Sequence, residues 1–139
     1  MKEMLMKKRS EKGFTLMELL IVVAIIVILV AISIPIFNAQ LEKSREATDI
    51  ANMRAAKAAA VTEYLAGTNA GKAATYNYDA QNGKLVASTT TPTGYGKGTT
   101  VNGGQSYADY VNTTDYTDKY ITVTISASGD VTLDWAASA

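Results

Sequence analysis

Leu19 to Ile34 reads LLIVVAIIVILVAISI, and no charged residue stands between Glu18 and Glu42. As a helix, Phe14 to Ile34 rises about 31 Å at about 1.5 Å per residue, close to the hydrocarbon thickness of a bilayer. The run is rich in β-branched residues, which favour strands in water, but it does not alternate and is too long for an ordinary strand. In lipid, a single segment satisfies its backbone polar groups only as a helix. Met1 to Gly13 carries five basic residues (Lys2, Lys7, Lys8, Arg9, Lys12) against Glu3 and Glu11, a net of +3, while the whole chain sums to zero. The positive-inside rule places this end in the cytoplasm and everything after the apolar run outside.

The rest of the composition narrows the chemistry. The 139 residues hold no Cys and no His, with 13 Lys+Arg against 13 Asp+Glu. That length fits one domain. Without imidazole or thiol there is no His base, Cys nucleophile, Cys/His zinc site or disulfide framework. The chain is not expected to be an enzyme, and no cofactor or metal is expected. A pI near 6.2 lacks the basic footprint of nucleic-acid binding.

Three readings compete for the apolar segment. A secretory signal peptide has an h-region of about 7–15 residues and a small-residue cleavage site; here the run is longer and Pro35-Ile36-Phe37 follows. A plain bitopic anchor displaying a binding module is the second. The third comes from the junction Lys12-Gly13-Phe14-Thr15-Leu16-Met17-Glu18-Leu19-Leu20. This resembles the signal of type IV prepilins and type II secretion pseudopilins: a basic leader ending in Gly, then Phe-Thr-Leu-Met-Glu and a long apolar helix.

The resemblance implies cleavage between Gly13 and Phe14 by a prepilin peptidase, followed by N-methylation of Phe14. It assigns Glu18 to assembly, paired with the methylated amine of Phe14 on the same or a neighbouring subunit. Pro35 matches the family's helix-kinking proline. The expected organisation is a cleaved leader at 1–13, a membrane and filament-core stem at 14–37, an amphipathic helical half at 38–66 and a β-rich head at 67–139. The family further implies a homo-oligomeric helical filament, a pilus assembly ATPase and an inner-membrane platform protein as partners. The protein would span the membrane once before assembly and lie on the cell surface afterwards, serving adhesion, twitching motility or DNA uptake. A pseudopilin or minor pilin of a secretion or competence system shares the same architecture.

Beyond Pro35 the chain remains helix-forming: Asn38 to Ala66 is Ala-rich and free of Gly and Pro, and Ala is the best helix former. Ile50, Ala51, Ala55, Ala58, Val61 and Leu65 are read as the apolar stripe, with Glu42, Lys43, Arg45, Arg54, Lys57 and Glu63 mostly on other faces. Glu42 with Arg45 and Arg45 with Asp49 read as solvated surface pairs. Gly67 is the expected left-handed stop. A helix from Phe14 to Ala66 would be about 80 Å long at about 1.5 Å per residue, so its first half needs lipid or neighbouring subunits around it.

The head reads as β-rich. Thr75–Asp79 and Lys84–Ser88 flank Gln81-Asn82-Gly83, a hairpin signal. Tyr120–Ser126 and Val131–Trp135 alternate around Ser128-Gly129-Asp130, placing Ile121, Val123, Ile125, Val131, Leu133 and Trp135 on one face. Ser88–Gly104, rich in Thr and Gly, reads as a surface loop, and Tyr107–Tyr120 is ambiguous. The fold class is α+β, an antiparallel sheet of roughly three to five strands on the second half of one long helix. The lack of Cys hints at a disulfide-poor, Gram-positive source. Asp109, Asp115 and Asp118 read as solvated loop acids rather than Ca²⁺ ligands, Asn112-Thr113-Thr114 as a chance sequon, and the eight tyrosines as packing residues.

Overall fold

The computed structural model describes residues 13–138. Among the described residues, one helix, α1 (Leu16–Ala66), precedes four strands, β1 (Ala74–Asp79), β2 (Lys84–Ala87), β3 (Lys119–Ile125) and β4 (Val131–Ala137). The strands form a single antiparallel sheet in the order β2-β1-β3-β4. The chain divides into two compact units, Met1–Asn38 and Ala39–Ala139. The α+β class expected from the sequence is the observed one.

Local chemistry sets where α1 begins and ends. Thr15 Oγ1 accepts the Glu18 N–H at 3.1 Å and Glu18 Oε2 accepts the Thr15 N–H at 3.3 Å. This reciprocal capping box satisfies two of the donors that a helix start leaves orphaned. Pro35 lies within the helix and does not end it. The helix stops at Ala66, but Gly67 is not the left-handed residue expected there. Its N–H still bonds to the Glu63 carbonyl at 2.8 Å, and the left-handed position falls at Gly71 (φ 71°), whose N–H returns to Tyr64 O at 2.9 Å.

The hairpin and the C-terminal strands stand where the alternation put them. Tyr78 pairs with Leu85 across β1 and β2, and Val123 with Leu133 across β3 and β4. Ile121, Val123, Ile125 and Leu133 are buried on the face that meets α1, while Thr124, Thr132 and Asp134 are exposed.

The helix presents a different face from the one expected. Ile50, Met53, Ala56 and Ala60 join the core, whereas Ala51, Ala55, Ala58, Val61 and Leu65 are exposed. Only Ile50 of the expected stripe is buried. Two features explain the rotation. Ala56 and Ala60, each 0% exposed, join the core cluster with Ile121, Val123 and Leu133 of the sheet. The buried face also carries Glu42, Glu46 and Asp49, which a count of apolar residues assigns to solvent.

Ser88–Gly104 likewise departs from a simple surface loop. Pro92, Gly96 and Gly98 are buried, and the tract is tied to the strands: Tyr95 and Gly96 N–H groups donate to Lys119 O, and Tyr116 N–H donates to Gly98 O. The ambiguous stretch after it is irregular, folding Tyr110 and Tyr116 into the core through left-handed Ala108 and Asp118.

Trp135 sits between Tyr95 (ring centroids 5.8 Å apart) and Tyr116 (5.1 Å). It is half-buried rather than fully enclosed, and its Nε1 is buried without a hydrogen-bond partner. Trp135→Ala is therefore expected to cost about 2–3 kcal/mol, below the about 3–5 kcal/mol of a fully buried ring. Denaturant unfolding of the full chain in detergent, followed by near-ultraviolet circular dichroism, measures this. A change near zero would contradict the packing of the ring.

Candidate functional site

The sequence-derived site residues lie at the start of α1. Gly13 has φ 35°, in the left-handed region that side chains disfavour. Phe14 is 88% exposed. Glu18 faces back to Thr15 through the capping box, a Thr-x-x-Glu signature legible in the sequence but absent from the reading above. The basic residues Lys2 to Lys12 lie outside the described residues.

After this junction the helix offers an apolar surface without cover. Of the large apolar side chains that remain in the open between Leu16 and Phe37, none is less than 47% exposed. Among the described residues, α1 is the one helix long and apolar enough to cross a membrane. Ser33 hides its hydroxyl by donating to Leu29 O at 2.7 Å, which lets a polar residue sit in an apolar stretch.

A second cluster, missed by sequence reasoning, organises the Ala39–Ala139 unit. Glu42, Glu46 and Asp49 recur on successive turns of α1 and are at most 1% exposed. Each accepts backbone N–H groups from the tract 97–105. Glu42 Oε1 takes Thr99 N at 2.7 Å, and its Oε2 takes Arg45 Nη1 at 3.3 Å. Glu46 takes Gly103 N at 2.9 Å and Gln105 N at 3.3 Å. Asp49 takes Lys97 N at 2.8 Å, Gly98 N at 2.7 Å and the Tyr110 hydroxyl at 3.0 Å.

The Glu42–Arg45 pair read from the sequence is thus present, but with a buried carboxylate. The solvated Arg45–Asp49 pair is replaced by bonds from Asp49 to the tract. Charged acceptors make stronger hydrogen bonds than neutral ones, and the donors here are peptide groups that need partners in any case. Close approach explains the glycines: a Cβ on Gly98 would meet Tyr110 and Asp49, and one on Gly103 would meet Glu46 and the Lys43 backbone. The signal was present as acids spaced i, i+4, i+7 on the face of Ile50 and Met53, opposite a tract of Gly and Thr. Burial holds the Asp49 carboxyl above the ordinary carboxylate range, opposed by the bonds from Gly98, Lys97 and Tyr110 and reinforced by the negative charge of Glu42.

The remaining sequence candidates are structural. Asn112 donates its side-chain amide to Gln105 O at 3.0 Å, and Asp115 accepts the Thr117 N–H at 2.9 Å. Among the described residues, no group of three or more His, Cys, Asp or Glu side chains is placed to hold a metal ion.

Comparison with known proteins bears on the junction. Residues 8–34 match the family model described as the prokaryotic N-terminal methylation motif. The N-terminal segment carries this motif, the type IV pilin signal. A fimbrial protein, EcpC, of Eikenella corrodens is 42% identical over 59 residues, which cover 42% of this chain and 38% of that relative. The chain thus matches about two-fifths of that relative's length. No solved structure matches the chain significantly. The methylation motif covers Gly13, Phe14 and Glu18 and most of the exposed apolar helix, and ends one residue before Pro35.

Proposed function

We propose that this chain is a structural subunit of a type IV pilus, matured by a prepilin peptidase and polymerised through its N-terminal helix into a cell-surface filament. The observation that carries this reading is the uncovered apolar helix immediately behind the methylation motif. Exposed apolar surface of that extent requires lipid or other protein around it, and a pilin meets both in succession. Residues 1–13 then serve as the leader and 14–37 as the stem. Residues 38–66 are the helical half that carries the head, and 67–139 the head itself. Partners in this reading are copies of the same chain, the peptidase, an assembly ATPase and an inner-membrane platform protein. Adhesion, motility and DNA uptake are the outputs open to such a filament.

Gly13 and Phe14 flank the bond to be cut. The backbone of Gly13 is left-handed, a conformation costly for a β-branched residue, and a side chain there obstructs approach of the peptidase. Gly13→Val is expected to accumulate full-length precursor in the membrane, whereas the parent protein begins at an N-methylated Phe14. Mass spectrometry of the N terminus checks both. A normally shortened Gly13→Val product, or a parent protein that retains Met1 to Gly13, would overturn the prepilin reading in favour of a plain anchor.

A further inference from the structure

The chain contains two Asn-Gly pairs, Asn82-Gly83 and Asn102-Gly103, and the fold treats them oppositely. Asparagine followed by glycine is chemically labile: the unhindered glycine nitrogen can attack the asparagine side-chain carbonyl, and Asn is among the thermolabile residues. Whether it reacts in a folded chain depends on the freedom of that nitrogen.

At Asn102-Gly103 the nitrogen is engaged. Gly103 N–H donates to buried Glu46 at 2.9 Å, and the residue is packed against Glu46 and the Lys43 backbone. Asn102 Oδ1 is itself held by the Gly104 N–H at 2.8 Å. Ring closure here would strip a buried carboxylate of its best donor.

Asn82-Gly83 lies in the exposed β1–β2 turn. Among the described residues the Gly83 N–H has no hydrogen bond outside the strand ladder. Gly83 is left-handed (φ 64°), and nothing lies within 4 Å of the position a Cβ would take. The side-chain amide nitrogen of Asn82, the leaving group, donates to Asp79 Oδ2 at 2.7 Å. The turn therefore has an unengaged nucleophile, open space around Gly83 and access to water, and the Asn82 side chain needs only to release the exposed Asp79 carboxylate before it turns.

We propose that Asn82-Gly83 is a built-in site of spontaneous amide-to-acid conversion in the folded protein, and that Glu46 protects Asn102-Gly103 from the same fate. In the first step Gly83 N gives up its proton to solvent and bonds to Asn82 Cγ. The Cγ–Nδ2 bond breaks and ammonia leaves with the proton, giving a five-membered imide. One water then opens the imide, its hydroxyl adding to one carbonyl and its hydrogen returning to nitrogen, which yields aspartate or isoaspartate at 82. No oxidant or reductant is needed.

Conversion removes the donor that Asp79 holds and sets a second carboxylate beside it. The isoaspartate form also adds a methylene to the backbone of the turn. On a filament, which rests on the reading above, older subunits would carry more negative charge at this turn than newly added ones.

The test uses the full chain in detergent micelles, incubated in heavy-oxygen water at neutral and mildly alkaline pH, with a parallel sample unfolded in urea. Peptide mass mapping reads label entry at each Asn. In the folded sample Asn82 should convert, faster at the higher pH, while Asn102 converts at least about tenfold more slowly because its nitrogen must first leave a charged acceptor. In urea the two rates should converge. Asn102 keeping pace with Asn82 in the folded chain would overturn the proposal, as would an unchanged Asn82 beside a urea control that converts. Neither result depends on whether the chain forms filaments.

Discussion

Glu18→Leu is expected to leave membrane insertion and leader removal intact while reducing incorporation into filaments by at least about tenfold, the equivalent of about 1.4 kcal/mol. A carboxylate inside a membrane span is expensive, of order 2.5–3.5 kcal/mol at the centre on insertion scales, so a compensating partner is required. Cleavage after Gly13 would create one, the amine of Phe14. At an effective dielectric near 20, opposite charges about 4 Å apart attract by about 4 kcal/mol. The capping box introduces a competing account, since leucine also deletes the bond from Thr15 N–H to Glu18. Glu18→Gln separates the two, because glutamine still closes a capping box but carries no charge. If the charge drives assembly, both variants lose filaments. If capping alone matters, Glu18→Gln assembles normally. The measurement is the pilin content of sheared surface fractions, against processed pilin in the membrane.

Asp49→Ala is expected to destabilise the head by about 3–5 kcal/mol, because a buried donor left without an acceptor costs about 1–3 kcal/mol. Three donors lose their acceptor together: the N–H groups of Lys97 and Gly98 and the Tyr110 hydroxyl. Against a total stability of about 5–15 kcal/mol, this is enough to free the tract from the helix. Hydrogen exchange at Lys97 and Gly98 measures it, and protection equal to that of the parent would refute the role of Asp49.

A pH arm adds a signed expectation. Burial raises the Asp49 pKa above its unfolded value of 3.8, so in the window between the two values the folded state binds more protons than the unfolded one. The Asp49 contribution to stability therefore rises as pH falls through that window and is constant at higher pH. Compared with Asp49→Asn, the parent should gain stability on mild acidification. A difference independent of pH would show that the carboxyl titrates alike in both states.

Much of the architecture was legible because the strongest signals were periodic or punctuated. The uncharged run fixed a helix, strict alternation fixed β3 and β4, and Asn82-Gly83 marked the β1–β2 turn. The helix face escaped because alanine fits core and surface alike. Counting apolar positions favoured Ala51, Ala55 and Ala58, whereas burial follows Met53, Ala56 and Ala60 together with three acids. Glu42 and Asp49 read as solvated, and Glu46 drew no notice, because their partners are mostly backbone amides 48–59 residues away, and peptide groups leave no mark in side-chain composition. The Gly/Thr tract resembled slack for the same reason, its glycines being needed for close approach to carboxylates that only the fold brings near. The junction at Gly13, Phe14 and Glu18 was readable as a local motif, yet the capping role of Glu18 was overlooked although Thr15 stood three residues before it.

The long chain separation of these carboxylate–amide bonds also orders events in time. Loop-closure entropy must be spent before such contacts form, and contacts distant in sequence are slow to assemble. Helix and hairpins, built from neighbours, can arise first. The tract from Lys97 to Gln105, like the β1–β3 pairing that joins the two hairpins, is expected to close after them, onto an acidic helix face already in place. Bonds absent from the rate-limiting barrier govern the speed of unfolding rather than of folding. The three acids therefore set how long a finished head survives more than how quickly one is made.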